Sequence, residues 1–317
     1  MRHGWIAVVL LAPACVTGQV RWTPPHTPDG QPDFQGIWTN ATITPLERPP
    51  EFAGKVFLTE REAAELERRT LEEVNSDRRD GGNTADLRRN YNEFWRDRGT
   101  TVIDSRRTSL IVDPPDGRVP ALTPEARKRQ AARAAASRSL SGPEDLHFRV
   151  RCITRGLPML PTPNNNFFQI LQAPGYVVIL QEMMYEARVI PLDARPHAPP
   201  NVRGWMGDPR GRWEGDTLVI DTTNFSSSSE FQGSHEGLHL VERLTRTGPG
   251  SILYEFSVDD PSTFTRPWSV AMPMRKTEER LFVYECHEGN YTMVGVLAGA
   301  RAEEKRAAEA AAKTGSK

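Results

Sequence analysis

The residues of this chain that could do chemistry are polar side chains set among apolar ones. In Tyr176–Met184 one face of an extended segment carries Tyr176, Val178, Leu180, Glu182 and Met184, because successive side chains of a strand alternate. A carboxylate in that company is desolvated and resists ionisation, which suits Glu182 to general acid or base work. Paired with an arginine such as Arg188 or Arg243, it would be structural instead. Histidine is scarce. His197 lies in the rigid loop Arg195-Pro196-His197-Ala198-Pro199-Pro200, His239 lies in Leu238–Glu242 with His235 just before it, and His287 ends Glu285-Cys286-His287. These three histidines, with Glu182 and Glu288, could form an acid–base pair or a metal site. Their spacings match no recognised zinc set, so the expectation is no cofactor, with zinc as the alternative. The expected catalytic residues are Glu182, His287 and His239.

Further segments are suited to binding. Asn165, within Asn164–Asn166, precedes a strand and offers an amide at a barrel mouth. The stretch Trp205–Asp216 reads as one turn-dense loop carrying Trp205, Arg210 and Trp213. Arginine and aromatic rings in an exposed loop favour stacking on sugars or aromatic compounds, and serve equally as packing. With Tyr176 and His197 these make the expected substrate-binding set. The chain has no Walker loop, no Gly-x-Gly-x-x-Gly, no His-Glu-x-x-His and no Gly-x-Ser-x-Gly, which argues against nucleotide-driven and common serine hydrolase chemistry.

These groups need a scaffold, and the pattern changes along the chain. Arg2 followed by the apolar run Trp5–Ala12 reads as a signal peptide, residues 1–18, cleaved before Gln19. Cys15 raises lipoprotein anchoring, which Pro13 disfavours. The run is too short to span a bilayer. Removal of the signal leaves Cys152 and Cys286, an even pair that in an oxidising compartment reads as a disulfide rather than a Cys286–His287 nucleophile. The expected location is periplasmic or extracellular. Residues 19–150 read as an extended lead-in and a helical region, with a strand near Pro32–Asn40, a helix at Phe57–Val74 opened by Thr59 and Glu62, a short aromatic helix at Leu87–Trp95, a strand at Thr108–Val112 and a basic helix at Pro124–Leu140. Residues 151–300 read as an antiparallel β-barrel, because short strands with turn signals recur from Phe167 to His287. A helix starts near Tyr291, and residues 301–317 form its charged tail. The fold class expected is mainly β with flanking helices. Forty basic and 41 acidic side chains leave a formal net charge of −1, without the basic excess of a nucleic-acid binder.

Pro32-Asp33-Phe34-Gln35-Gly36-Ile37-Trp38, Thr108–Arg118, Arg195-Pro196-His197, Gly211–Phe225 and Cys286–Tyr291 resemble a large family of uncharacterised exported bacterial proteins. That resemblance covers most of the mature chain and implies no activity. The Gly36-x-Trp38 element and the later strands are also similar to lipocalin or calycin barrels, which implies ligand binding. The function expected is an exported, small-molecule-handling protein. It would be either a cofactor-free lyase, isomerase or hydrolase using carboxylate and histidine chemistry in a barrel pocket, or a binding protein. The alternative is a non-catalytic envelope protein making a weak envelope contact through its basic helix and tail. The partner expected is a small molecule, with no nucleic acid and no transmembrane segment.

Overall fold

The computed structural model describes residues 22–82, 92–136 and 140–315. The expected signal peptide with Cys15, and most of the helix expected at Leu87–Trp95, lie outside the described residues; Glu93–Trp95 form a single 3-10 turn. Ten antiparallel strands make one sheet. They are β1 Gly36–Thr39, β2 Ile111–Asp113, β3 Phe167–Ala173, β4 Tyr176–Gln181, β5 Glu186–Pro191, β6 Asp208–Glu214, β7 Thr217–Thr223, β8 His239–Gly248, β9 Ser251–Asp259 and β10 Trp268–Thr277. Their order is β5-β4-β3-β1-β10-β9-β8-β7-β6, with β2 also paired to β10. Among the described residues three α-helices flank it: α1 Glu60–Val74, α2 Pro124–Ala136 and α3 Tyr291–Gly315. The molecule is a nearly closed antiparallel barrel with flanking helices.

The ends of the sheet, β5 and β6, approach side by side to close the barrel. Gly211 permits this: a Cβ there would meet Leu192 Cδ2 at 2.6 Å and Ile190 Cγ2 at 2.8 Å. The inside is packed with side chains. Trp38, Phe168, Ile179, Leu218, Leu240, Phe256, Trp268 and Met272 are all buried in one core cluster. One end is plugged by Phe34, whose ring lies 5.6 Å from that of Trp213. Arg246 is buried there over the Trp38 ring and donates to the Asp33 carbonyl. The other end is stoppered by Leu157, Met159, Phe231 and Phe264.

Polar groups also sit inside, and several of them pair with one another. Arg188 Nη1 of β5 lies 2.6 Å from Glu242 Oε2 of β8, with the two side chains 2% and 0% exposed. Arg188 Nη2 donates to Thr222 Oγ1 on β7 at 2.6 Å, and Tyr254 Oη on β9 donates to Glu242 Oε1 at 2.7 Å. The Met159 N–H from the stopper donates to Tyr254 Oη at 3.2 Å. Burial, reinforced by the Glu242 carboxylate, pushes the tyrosine hydroxyl well above 10.0 and keeps it a donor.

The structure corrects several sequence expectations. The barrel is not confined to residues 151–300, because β1 lies between β3 and β10 and carries Trp38 into the core. Asp208–Glu214 is a strand, not a loop: it pairs along its whole length with β7, and its charged side chains stand on the outer wall. Leu281–His287 is not a strand. With β10 already paired to β9 and β1, this apolar run finds no free ladder, and Phe282 and Val283 are exposed. It forms a strap tied down by the Cys152–Cys286 disulfide, whose Cα atoms are 5.6 Å apart, and by Asn290 Nδ2 donating to the Val150 carbonyl at 2.7 Å. The capping box at Thr59 and Glu62 opens α1 as expected. No described helix is long and apolar enough to cross a membrane.

Two outcomes follow. Arg188→Met alone strands the Glu242 carboxylate inside the barrel and should cost about 3–5 kcal/mol, whereas Arg188→Met with Glu242→Leu should recover most of that loss; equal losses in chemical denaturation would contradict the pairing. Reduction of the disulfide releases a loop of 134 residues and should lower stability by up to about 4–5 kcal/mol. An unchanged denaturation midpoint in reductant would contradict this.

Candidate functional site

The outer wall of β6, β7 and β8 carries a chain of imidazoles and carboxylates. On β7, Ile220 and Thr222 turn inward, so Asp221 turns out. Its ladder partners are Arg210 on β6 and Val241 on β8, which makes His239 a diagonal neighbour. The loop between β5 and β6 folds back over this wall and brings in His197. Asp221 then serves both rings. Its Oδ1 lies 3.0 Å from His197 Nε2, and both its oxygens lie 3.1 Å from His239 Nε2. His197 Nδ1 lies 3.2 Å from Asp208 Oδ2.

Asp208 is itself fixed. The Ala198 N–H donates to its Oδ2 at 2.7 Å and Arg210 Nη1 to its Oδ1 at 2.5 Å. Burial opposes ionisation, but these donors together with His197 hold the Asp208 carboxyl below its usual 3.8. Arg210 also donates from Nε to the Pro196 carbonyl at 3.0 Å. It is therefore a clamp on the histidine loop, with its guanidinium engaged by protein. Asn224 Nδ2 donates to the Ala198 carbonyl at 2.8 Å and secures the far side of the loop.

The arrangement pairs a base with an orienting carboxylate. With Nε2–H given to Asp221, His239 carries its lone pair on Nδ1, which has no hydrogen-bond partner among the described residues. The side chain is 43% exposed, so water or a small molecule can reach that nitrogen. No protein-family model matches the chain, and no curated protein matches it. Among the described residues no group of three or more His, Cys, Asp or Glu side chains is arranged to hold a metal ion.

Three of the residues expected from sequence thus come together: His239, His197 and Arg210. Two more meet elsewhere. Glu182 is buried at the stoppered end, because β4 stops at Gln181 and Glu182 begins a 3-10 turn, so its burial does not come from the face shared with Tyr176. The Phe282 N–H of the strap donates to Glu182 Oε1 at 3.3 Å, and Asn165 reaches the same carboxylate. Asp97 stands close by, accepting from the Asn166 N–H at 2.6 Å. Burial pushes both carboxyls above their usual values. Arg155 completes this group, its guanidinium pushed down to about 10 by burial and donating to the Asn165 carbonyl at 2.9 Å.

The remaining expected residues are scattered, so no single barrel pocket collects them. Tyr176 faces out at the opposite end, His287 is exposed in the strap's turn, and Trp213 packs against Phe34. Trp205 lies on the stoppered rim, 6.0 Å from Phe148. Sequence reasoning missed Asp208, Asp221 and Asp97. Asp221 was visible in principle, as a carboxylate between Ile220 and Thr222 on an apolar strand, the same signal that singled out Glu182.

The sign of the Glu182 effect is testable. The unfolded chain ionises this group near 4.5, while the folded protein resists until higher pH. Its favourable contribution is therefore present below about 4.5 and is lost as pH rises. Glu182→Gln should raise stability at pH 7, with the gain shrinking toward zero at pH 4. A loss at pH 7 in chemical denaturation would contradict this.

Proposed function

We propose that this protein is an exported member of the family its motifs resemble, acting on a small molecule by acid–base chemistry on the outer wall of the barrel. The observation that carries the reading is the shared Asp221 carboxylate, which holds His239 by Nε2 and leaves Nδ1 open. In the reaction, His239 Nδ1 takes a proton from a bound water or from an acidic carbon–hydrogen bond. The ring becomes an imidazolium whose Nε2–H stays on Asp221, and the carboxylate stabilises the new charge. His197 bonds to Asp208 through Nδ1 and to Asp221 through Nε2, so both its ring nitrogens are engaged by the protein. It thus helps hold Asp221 in place rather than acting as a second base. The disulfide supports an oxidising compartment, and the filled interior favours a site outside the barrel over a lipocalin-type ligand within it.

A panel of p-nitrophenyl esters and enolisable keto acids tests the reading. On any compound the wild type turns over, His239→Ala should lower kcat/KM by about 10²–10⁴-fold, and Asp221→Asn should lower it with the fold intact. His287→Ala should leave it unchanged. A His239→Ala variant as active as the wild type would sink the proposal.

A further inference from the structure

A concave cleft of about 360 Å³ opens on the stoppered rim, where the end of α2, the segment before Cys152 and the loop after β7 meet. Its aromatic side is formed by Trp205 and Phe148, with the His147 ring tilted against Phe148 at 4.1 Å between centroids. The lining carries two arginines and three carboxylates, so it holds no positive excess. Arg133 Nη1 lies 2.9 Å from Glu230 Oε2, Asp145 accepts the backbone N–H groups of Ser141 and Gly142, and Arg151 shares the lining with Glu144. The hydroxyl-bearing residues Ser227 and Ser228 complete the wall.

The backbone fixes the proton on each imidazole nearby. The Arg149 N–H donates to His147 Nδ1 at 3.2 Å, so the neutral ring carries its proton on Nε2. His235 Nδ1 lies 2.6 Å from the Ser229 carbonyl. A carbonyl only accepts, so here Nδ1 carries the proton and Nε2 the lone pair. The 3.4 Å approach of Arg133 Nη2 to the same nitrogen is then proximity of charge and not a hydrogen bond. His235 borders a small void that shares Phe148, Trp205 and Glu230 with the cleft. Burial holds both rings below their usual 6.5, which keeps them uncharged at neutral pH. The cleft therefore presents a neutral imidazole, seryl hydroxyls and an ion pair beside an aromatic wall, with the second neutral imidazole on the adjoining void.

We propose that this cleft binds a neutral, hydroxyl-rich ring, a sugar unit stacked on Trp205. An anion would want an excess of positive charge, and the lining offers none. A purely apolar ligand would strand the polar walls without partners. A ring with hydroxyls on its rim and carbon–hydrogen faces satisfies both the aromatic side and the polar groups. The volume falls in the range of small-ligand sites, about 300–1,000 Å³. This site stands apart from the His239 chemistry and holds whether or not that reading does.

The test is a binding titration of the intact protein with glucose, galactose, N-acetylglucosamine and their disaccharides, followed by saturation-transfer NMR and tryptophan fluorescence, with benzoate as the anionic aromatic control. At least one sugar should saturate in preference to benzoate. Trp205→Ala should weaken it by about tenfold, the loss of one stacking contact. Ser228→Ala, at an exposed position, should weaken it with the fold preserved. His239→Ala should bind as the wild type does, which separates this site from the outer wall. Binding of benzoate alone, binding of no sugar, or sugar binding indifferent to both Trp205→Ala and Ser228→Ala would overturn the proposal.

Discussion

Arg188 and Glu242 meet inside the barrel at 2.6 Å, almost wholly cut off from water. Ions pay heavily for such burial unless their remaining hydrogen-bonding positions are satisfied. Here Thr222 and Tyr254 supply one partner each, and Tyr254 is itself bonded by the Met159 N–H, while Arg188 Nε has no hydrogen-bond partner among the described residues. The knot thereby joins β5, β7, β8, β9 and the stopper. It also crosses the one seam of the sheet that lacks a hydrogen-bonded ladder, between β5 and β6, since Arg188 stands on β5 and Thr222 on β7. Gly211 lets the backbones approach there, and the ion pair draws the two sides together from within.

The outer-wall site depends on that knot through simple alternation. Thr222 points inward to Arg188, so Asp221, its neighbour, must point outward. Glu242 points inward as well, and three residues earlier His239 lies on the outer wall. A one-residue slip of β7 against β8 would turn Asp221 into the core and uncouple it from His239. Such a slip is costly, because it turns Thr222 away from Arg188 and breaks their hydrogen bond inside the barrel. Interior polarity, which contributes little net stability by itself, fixes the register on which the exterior chemistry rests. The loop carrying His197 is fixed from outside by Arg210, Asp208 and Asn224.

The barrel was largely legible in the sequence because most of its strands announce themselves by alternation and turn residues. The turns Pro174-Gly175 and Gly215-Asp216 fall where the hairpins are. The β6 strand was not legible, since Asp208-Pro209-Arg210-Gly211-Arg212 has the composition of a loop and becomes a strand only against β7. Leu281–Val283 shows the reverse error: β-forming residues do not make a strand when every neighbouring edge is occupied. The site was half legible. His197, His239 and Arg210 stood out by type, but nothing local says that three separate segments converge on Asp221. Glu182 is desolvated, as its apolar neighbours imply, but not through the face of Tyr176, because the helical turn at Glu182 ends the alternation one residue early.

The protonation pattern of His239 tests the account most directly, since the register, the outward turn of Asp221 and the open nitrogen all appear in it. Long-range proton–nitrogen NMR of the imidazole at a pH where the ring is neutral reports which nitrogen carries the hydrogen. The hydrogen should sit on Nε2, held by Asp221, with Nδ1 bare, and that preference should be lost in Asp221→Asn. A hydrogen on Nδ1, or a ring indifferent to Asp221→Asn, would contradict it.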